Sequence, residues 1–347
     1  MPTVQFLIPG DLLRRTGGYE YDRQVAARLR ARGWQVDVVR LDGSFPQPTD
    51  QALDEADAVL SRLDRGTTVL IDGLALGAMP DVVAPHAARL DLVALVHHPL
   101  ALETGIDPSA AARLRESERR ALALVRHVVV TSRRTGVTLA NYDVAADRLT
   151  VAEPGTDPAP LARGSTDGLV RLLCVATITP RKGHDVLCRA LASLTQKSWR
   201  LVCVGSTDAD AATTEALRTL LRSAGLADRV ELAGEADAAR TSSYYLQSDA
   251  FVLATWYEGY GMAVAEAIAR GLPVVSTPTG AIAELVRDDA GIMVPAGDVE
   301  GWSRALTRIF DPVDRARLTA GARRRRDTLS TWDDTAAAIE NVLTPHG

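Results

Sequence analysis

The sequence predicts an α/β protein built from two parallel-sheet domains. Three observations carry this. Short apolar runs alternate with longer segments of helical period, the rhythm stops once at a segment poor in apolar residues, and the same rhythm then restarts. Parallel strands covered by helices on both faces read as such runs, because neither face meets water. The 347 residues are too many for one ordinary core and suit two domains of roughly 150–180 residues each.

The first half supplies candidate strands at Val4–Ile8, Gln35–Val39, Thr68–Ile71, Leu92–Val96 and His127–Val130. Between the first two, Glu20–Arg32 carries apolar or small residues at helical spacing and ends in Arg-Gly, which completes a β-α-β unit. The pause is EPGTDPAPLARGSTDG, about residues 153–168, whose Pro, Gly, Ser and Thr content cannot build a core and reads as a linker. The rhythm resumes with strands at Val170–Ala176, Arg200–Val204, Val230–Leu232, Ala250–Ala254 and Val274–Ser276. Helices are expected from about Gly183, near Thr213–Ala224 and from Gly261, with a closing helix near Trp332–Leu343. The predicted organisation is an N-terminal domain over 1–160 and a C-terminal domain over 168–328. The final segment, about 330–347, packs back on the first domain. Two such domains leave a cleft facing the carboxyl ends of both sets of strands, where ligands of open α/β sheets bind.

Composition narrows the function. The chain is 46% hydrophobic and 24% charged with a net charge of −5, the balance of a folded globular protein and not of a nucleic-acid binder. Its only lysines are Lys182 and Lys197, so a lysine at a phosphate-like position is informative. Cys174, Cys188 and Cys203 have neither metal-ligand nor redox-pair spacing. Cys174 and Cys203 sit in apolar runs as small buried thiols, which fits a reducing cytoplasm. The opening MPTVQFLIPG lacks a basic n-region and a long apolar core, and no run reaches membrane-spanning length, so neither a signal peptide nor a span is expected.

The strongest chemical signal is Glu258-Gly-Tyr-Gly-Met-Ala-Val-Ala-Glu266, directly after an apolar strand. Gly259 and Gly261 allow close approach of backbone to a ligand, and a helix starting near Gly261 offers free amides and a positive dipole end to an anion. Eight helical residues span about 12 Å, beyond the roughly 5–9.5 Å between paired glycosidase carboxyls. Glu258 and Glu266 therefore suit different ends of one elongated ligand. The competing structural reading is a surface helix start with two solvated acids.

Glu-x7-Glu, followed by AIARGLPVVSTPTGAIAELV and AGIMVPAGD, resembles the family 4 retaining glycosyltransferases of the GT-B fold. TGGYEYDRQVAARLRARGWQV is similar to that family's Gly-Gly loop and first helix, ITPRKGHDVLCRAL to its phosphate-binding Arg/Lys segment, and LVALVHHPL to its histidine-bearing loop. The resemblance implies GT-B, two Rossmann-like parallel-sheet domains facing each other across a cleft. It implies transfer of a sugar, with retention and without a metal, from a UDP- or GDP-linked donor to a carbohydrate, lipid-linked or small-molecule hydroxyl. The donor set it implies is Gly17, Gly18, Arg181, Lys182, Glu258, Gly259, Tyr260, Gly261, Met262 and Glu266. In that set Glu258 contacts sugar hydroxyls, Glu266 the ribose, and Lys182 the diphosphate. His97, Glu258 and Lys182 form the implied catalytic set.

One departure stands out. The family carries an arginine five residues before the lysine, where this chain has Thr177. Either Arg181 replaces that charge or the site works with one cation fewer. Of His97 and His98, adjacent strand residues pointing to opposite faces, only one should line the site. His97 fits better, and both also fit ordinary structural hydrogen bonding. Glu103 is the further acceptor-side candidate. Asp208 and Asp210 follow a strand and open a helix, where acids serve capping and dipole roles ahead of metal binding. Arg113, Arg115, Arg119 and Arg120 admit a peripheral membrane face, but interleaved Glu116 and Glu118 favour a solvated one. Arg323–Arg326 read the same way. An epimerase or hydrolase on this scaffold would use the same donor site without acceptor dependence. A non-catalytic nucleotide-sugar binder is favoured only by Thr177.

Overall fold

The computed structural model describes residues 1–103 and 105–344. The chain divides into two compact units, one comprising Met1–Gly155 together with the segment from Ser330 onward, the other Thr156–Leu329.

The first unit holds a six-stranded parallel sheet. Its strands are β1 (Thr3–Pro9), β2 (Gln35–Leu41), β3 (Thr68–Asp72), β4 (Asp91–Val96), β5 (His127–Val130) and β6 (Leu149–Val151), in the order β2-β1-β3-β4-β5-β6. Its helices are α1 (Gly17–Ala31), α2 (Asp50–Ser61), α3 (Gly73–Leu76), α4 (Pro80–Val83), α5 (Pro108–Ala123) and α6 (Arg133–Leu139). Every residue of β3 is buried, as expected for a strand with helices on both faces. α1 buries Tyr21, Asp22, Val25, Ala26 and Leu29, a stripe of helical period that includes one acid.

The second unit repeats the plan. Its strands are β7 (Val170–Val175), β8 (Trp199–Val204), β9 (Val230–Gly234), β10 (Ala250–Leu253), β11 (Val274–Ser276) and β12 (Gly291–Met293). They run β12-β11-β10-β7-β8-β9, which is the order 3-2-1-4-5-6 of doubly wound nucleotide-binding sheets. The helices are α7 (His184–Ala192), α8 (Ala211–Ser223), α9 (Ala238–Leu246), α10 (Met262–Ala269), α11 (Ile282–Ala290, interrupted at Arg287), α12 (Val299–Phe310) and α13 (Pro312–Arg325).

After the second unit the chain returns to the first as α14 (Trp332–Leu343). Thr331 and Asp334 form a capping box at its start. Arg32 and Trp34 both hydrogen-bond Glu340, and Thr335 donates to the Glu153 carbonyl at 2.6 Å. A side chain on Gly155 would overlap the backbone of Trp332, so the close approach needs glycine. The segment expected to pack back is about 330–347, and residues 345–347 lie outside the described residues. The segment expected as a linker is divided at Gly155/Thr156. Its later part is tied to the second unit by Ala162 N to Arg270 O and Arg163 N to Leu246 O, both 2.8 Å.

Candidate functional site

In each sheet the strand order reverses beside its first strand, and the crevice at such a switch point opens at the carboxyl ends of the strands. The chemistry-bearing residues of each unit cluster there.

In the first unit, Asp72 closes β3 and lies in register with Leu95 of β4, and His97 follows the end of β4. His97 Nε2 lies 3.1 Å from Asp22 Oδ1 on α1 and 3.3 Å from Asp72 Oδ2. Asp22 is fully buried, and its Oδ2 has no hydrogen-bond partner. Asp72 is fixed from behind, because its Oδ1 caps α3 by accepting from Leu74 N at 2.7 Å. Tyr21 meets the His97 ring edge-on, with centroids 5.2 Å apart at 87°. The Tyr21 hydroxyl donates to the Ala152 carbonyl at 2.9 Å. Burial pushes the Asp22 carboxyl up to about 6, His97 pulling against it. Burial also works against charge on His97, but Asp22 and Asp72 outweigh it and hold the imidazole up to about 10.

Gly17 and Gly18 open α1 behind the Thr16 cap. A Cβ on Gly18 would rest in ordinary contact with the His97 ring, 3.7 Å from Cδ2. His98 turns elsewhere and meets Glu103 at 3.5 Å. The two acceptor-side candidates thus find each other, and His97 is the histidine that faces the buried acids.

In the second unit, Arg181 and Lys182 end the loop after β7, and Glu258 lies in the loop between β10 and α10. Lys182 Nζ lies 2.5 Å from Glu258 Oε1, and Arg181 Nη1 lies 3.8 Å from the same oxygen. Arg181 also donates to the Tyr257 carbonyl at 2.8 Å, so it stands in the group where the sequence left its role open. Burial raises the Glu258 carboxyl, but Lys182 and then Arg181 outweigh it and keep it below the usual glutamate range. Gly261 is the N-cap of α10 at φ 100°, and Met262 is its first residue. Gly280, at φ 55°, packs against the Glu258 and Gly259 carbonyls so closely that a Cβ there would overlap them. Tyr260 is buried, and Glu266 is half-buried on the second turn of α10.

Other candidates resolve simply. Asp210 caps α8 by accepting from Thr213 N at 2.9 Å. Arg119 pairs with Glu116 and Asp143, and Arg120 with Asp81. Arg324 pairs with Asp289, while Arg325 and Arg326 donate to backbone carbonyls. Glu118 corrects the sequence reading of a solvated face. It is 1% exposed, accepts from Leu100 N at 3.0 Å, and leaves Oε1 unpartnered. Sequence reasoning also missed Asp22 and Asp72. Their signals were an acid within the apolar stripe of α1 and an acid directly after the apolar run of β3.

Residues 170–311 match the family described as Glycosyl transferases group 1. Among solved structures, a sucrose-phosphate synthase from Thermosynechococcus elongatus superposes with a TM-score of 0.82. It is 20% identical, with 99% of this chain and 98% of that one covered. The fold is GT-B. HepE from Anabaena, solved in complex with UDP and glucose, is a second GT-B neighbour, with a TM-score of 0.75, 17% identity and 98% of each chain covered. In sequence, the chain is 31% identical over 269 residues to a D-inositol 3-phosphate glycosyltransferase of Thermomonospora curvata, and 30% over 283 residues to that of Salinispora arenicola. The matches take in 70% and 72% of this chain, and the chain spans 62% and 63% of those relatives' lengths. The group 1 match begins at β7 and runs to the end of α12, so it includes Arg181, Lys182, Glu258 and Glu266. Among the described residues no helix of this GT-B chain is long and apolar enough to cross a membrane.

Proposed function

We propose that the protein is a glycosyltransferase that moves a sugar from a nucleoside-diphosphate sugar to an acceptor hydroxyl, with retention of configuration and without dependence on a metal. The observation that carries this reading is the pair of cations, Lys182 at 2.5 Å and Arg181 at 3.8 Å, on the Glu258 carboxylate beside the glycine turn that opens α10. As the bond from the anomeric carbon to phosphate breaks, charge accumulates on the leaving diphosphate. Lys182, Arg181 and the first amides of α10 then interact more strongly with it than with the intact donor, and that difference lowers the barrier. Glu258, held ionised, accepts hydrogen bonds from sugar hydroxyls, and Glu266 serves the ribose end. In the proposed same-face reaction the acceptor oxygen bonds to the anomeric carbon as the phosphate oxygen leaves, and that phosphate oxygen takes the acceptor's proton. The two cations supply the charge that a metal would otherwise provide.

UDP is the nucleotide to try first, because HepE was solved with UDP and glucose. The names of the sequence relatives make phosphorylated cyclic polyols the first acceptors to screen. The test is a thermal-shift panel of UDP, GDP, ADP and TDP with and without EDTA, followed by NMR of the product's anomeric centre. A shift with one diphosphate, unchanged by EDTA, and a product with the donor's configuration are expected. No shift with any of them would overturn the donor site. EDTA-sensitive turnover would overturn metal independence, and an inverted product would overturn the same-face reaction.

A further inference from the structure

A single carboxylate on one nitrogen of an imidazole leaves the other nitrogen free to take up a proton, which is how histidine serves as a base in hydrolytic triads. The first unit places two carboxylates on the same nitrogen, at 3.1 and 3.3 Å. We propose that Asp22 and Asp72 are positioning residues that lock His97 as an imidazolium, so that it serves the reaction as a fixed cationic hydrogen-bond donor and not as a proton acceptor.

Neither acid can turn away. Asp72 is held through its other oxygen by the α3 amide of Leu74. Asp22 lies wholly inside on α1 with one oxygen unpartnered, so His97 is the charge that compensates it. The histidine is held as firmly. Tyr21 packs edge-on against its ring and is backed by Trp332 at 5.8 Å, and the Thr131 hydroxyl donates to the His97 carbonyl at 3.0 Å. With a neutral imidazole the cluster would bury either two uncompensated carboxylates, which is costly away from water, or a carboxyl beside a carboxylate without the ion pairs to His97 at 3.1 and 3.3 Å. One proton on His97 removes half of that charge. The direction of its shift, up to about 10, agrees. Among the described residues Tyr19 and Tyr21 also face the cluster, both raised by burial, so neither supplies a competing negative charge near neutrality. One carboxylate oxygen each of Asp22 and Asp72 and one ring nitrogen of His97 lie within 4.8 Å of one another, so a divalent cation is the competing occupant that the test must separate from a proton.

The catalytic consequence rests on the transferase reading, whereas the charge state does not. The experiment therefore reads them apart. In the full chain labelled with ¹⁵N-histidine, the His97 resonances are identified by their loss in His97→Gln and followed from pH 5 to 10. The expected result is a cationic ring throughout the neutral range, with Asp22→Asn and Asp72→Asn each lowering the midpoint by about 1–3 pH units. In transfer assays His97→Gln, which keeps an N–H donor but cannot accept a proton, is expected to retain about tenfold more kcat than His97→Ala. A wild-type midpoint near the ordinary value of about 6.5 would overturn the lock, and that measurement needs no variant beyond the assignment. Equal kcat for the Gln and Ala variants would overturn the donor role. Stoichiometric binding of Zn²⁺ or Mn²⁺ that moves the His97 resonances and is lost in Asp22→Asn would replace the proton with a metal. A cationic His97 in a protein that transfers no sugar would leave the lock standing and remove the transferase reading.

Discussion

The two units solve the same local problem with opposite charge. In the first, two carboxylates enclose one imidazole, and both Asp22 and His97 hold their protons more tightly than usual. In the second, two cations enclose one carboxylate, and Glu258 gives its proton up more readily. The scaffolds are alike, each a parallel sheet with its cluster beside the switch point, so the difference lies in three side chains in each unit. A doubly wound sheet provides a place for a ligand, and the sign of the surplus charge at that place decides which chemistry it favours. The surplus is positive where a diphosphate would be held and negative where hydroxyl chemistry would be.

The contrast can be broken most severely in the second unit. Lys182→Ala leaves Glu258 buried with the more distant Arg181 as its cation, and a loss of about 3 kcal/mol of stability is expected from urea unfolding. The nucleotide-induced thermal shift should disappear, and kcat should fall about 10²–10³-fold. A variant with normal turnover would remove the pair from the site. Next in size, Gly280→Ala drives a Cβ into the Glu258 carbonyl at a left-handed φ and should cost more than about 1 kcal/mol. Gly18→Ala, whose Cβ meets only the His97 ring at van der Waals distance, should melt close to wild type. Comparable losses for the two glycines would contradict this geometry.

Glu118 sharpens the contrast through pH. Burial pushes its carboxyl from 4.5 up to about 8, so the folded protein binds that proton more tightly than the unfolded chain. Its contribution to stability therefore declines as pH rises from about 4.5 to about 8, with a slope of up to about 1.4 kcal/mol per pH unit, and is constant above that range. His97 acts in the same direction up to about 10. Glu118→Gln should thus flatten only the lower part of the stability profile measured by urea unfolding at a series of pH values. An unchanged profile would show that Glu118 is not protonated in the fold. Tyr21→Phe, which loses the bond to the Ala152 carbonyl, should cost about 1 kcal/mol. Smallest of all, Arg119→Ala removes two solvent-exposed pairs and should leave Tm unchanged within error.

Much of this architecture was readable before any coordinates. The ten strands proposed from apolar runs all occur, and the closing helix falls at Trp332–Leu343 as expected. The strands that went unread, β6 and β12, have three residues each and lie at sheet edges, too short for an apolar run to stand out. In the second unit the chemical residues lie within two continuous motifs, each legible by itself, and Lys182 reaches Glu258 because β7 and β10 are neighbours in the sheet. Asp22, Asp72 and His97 come from three separate elements and meet only because β3 inserts between β1 and β4. Periodicity reveals that Asp22 points inward but not what it meets there. Glu118 was misread for a similar reason. It shares α5 with Glu116, two residues away, but a helix turns two such neighbours to different faces, and only Glu118 lies under the loop after β4.

The return of α14 to the first unit carries a consequence for biosynthesis. During translation the second unit is completed once residue 329 is made, and it is continuous in sequence. The first unit, although most of it emerges earlier, lacks the partner of Trp34, Arg32 and Tyr21 until Trp332–Leu343 has left the ribosome. Of the two units, the one that begins to emerge earlier is therefore completed later. A released chain truncated before Ser330 should carry a native second unit joined to a first unit with one apolar face still open to chaperones.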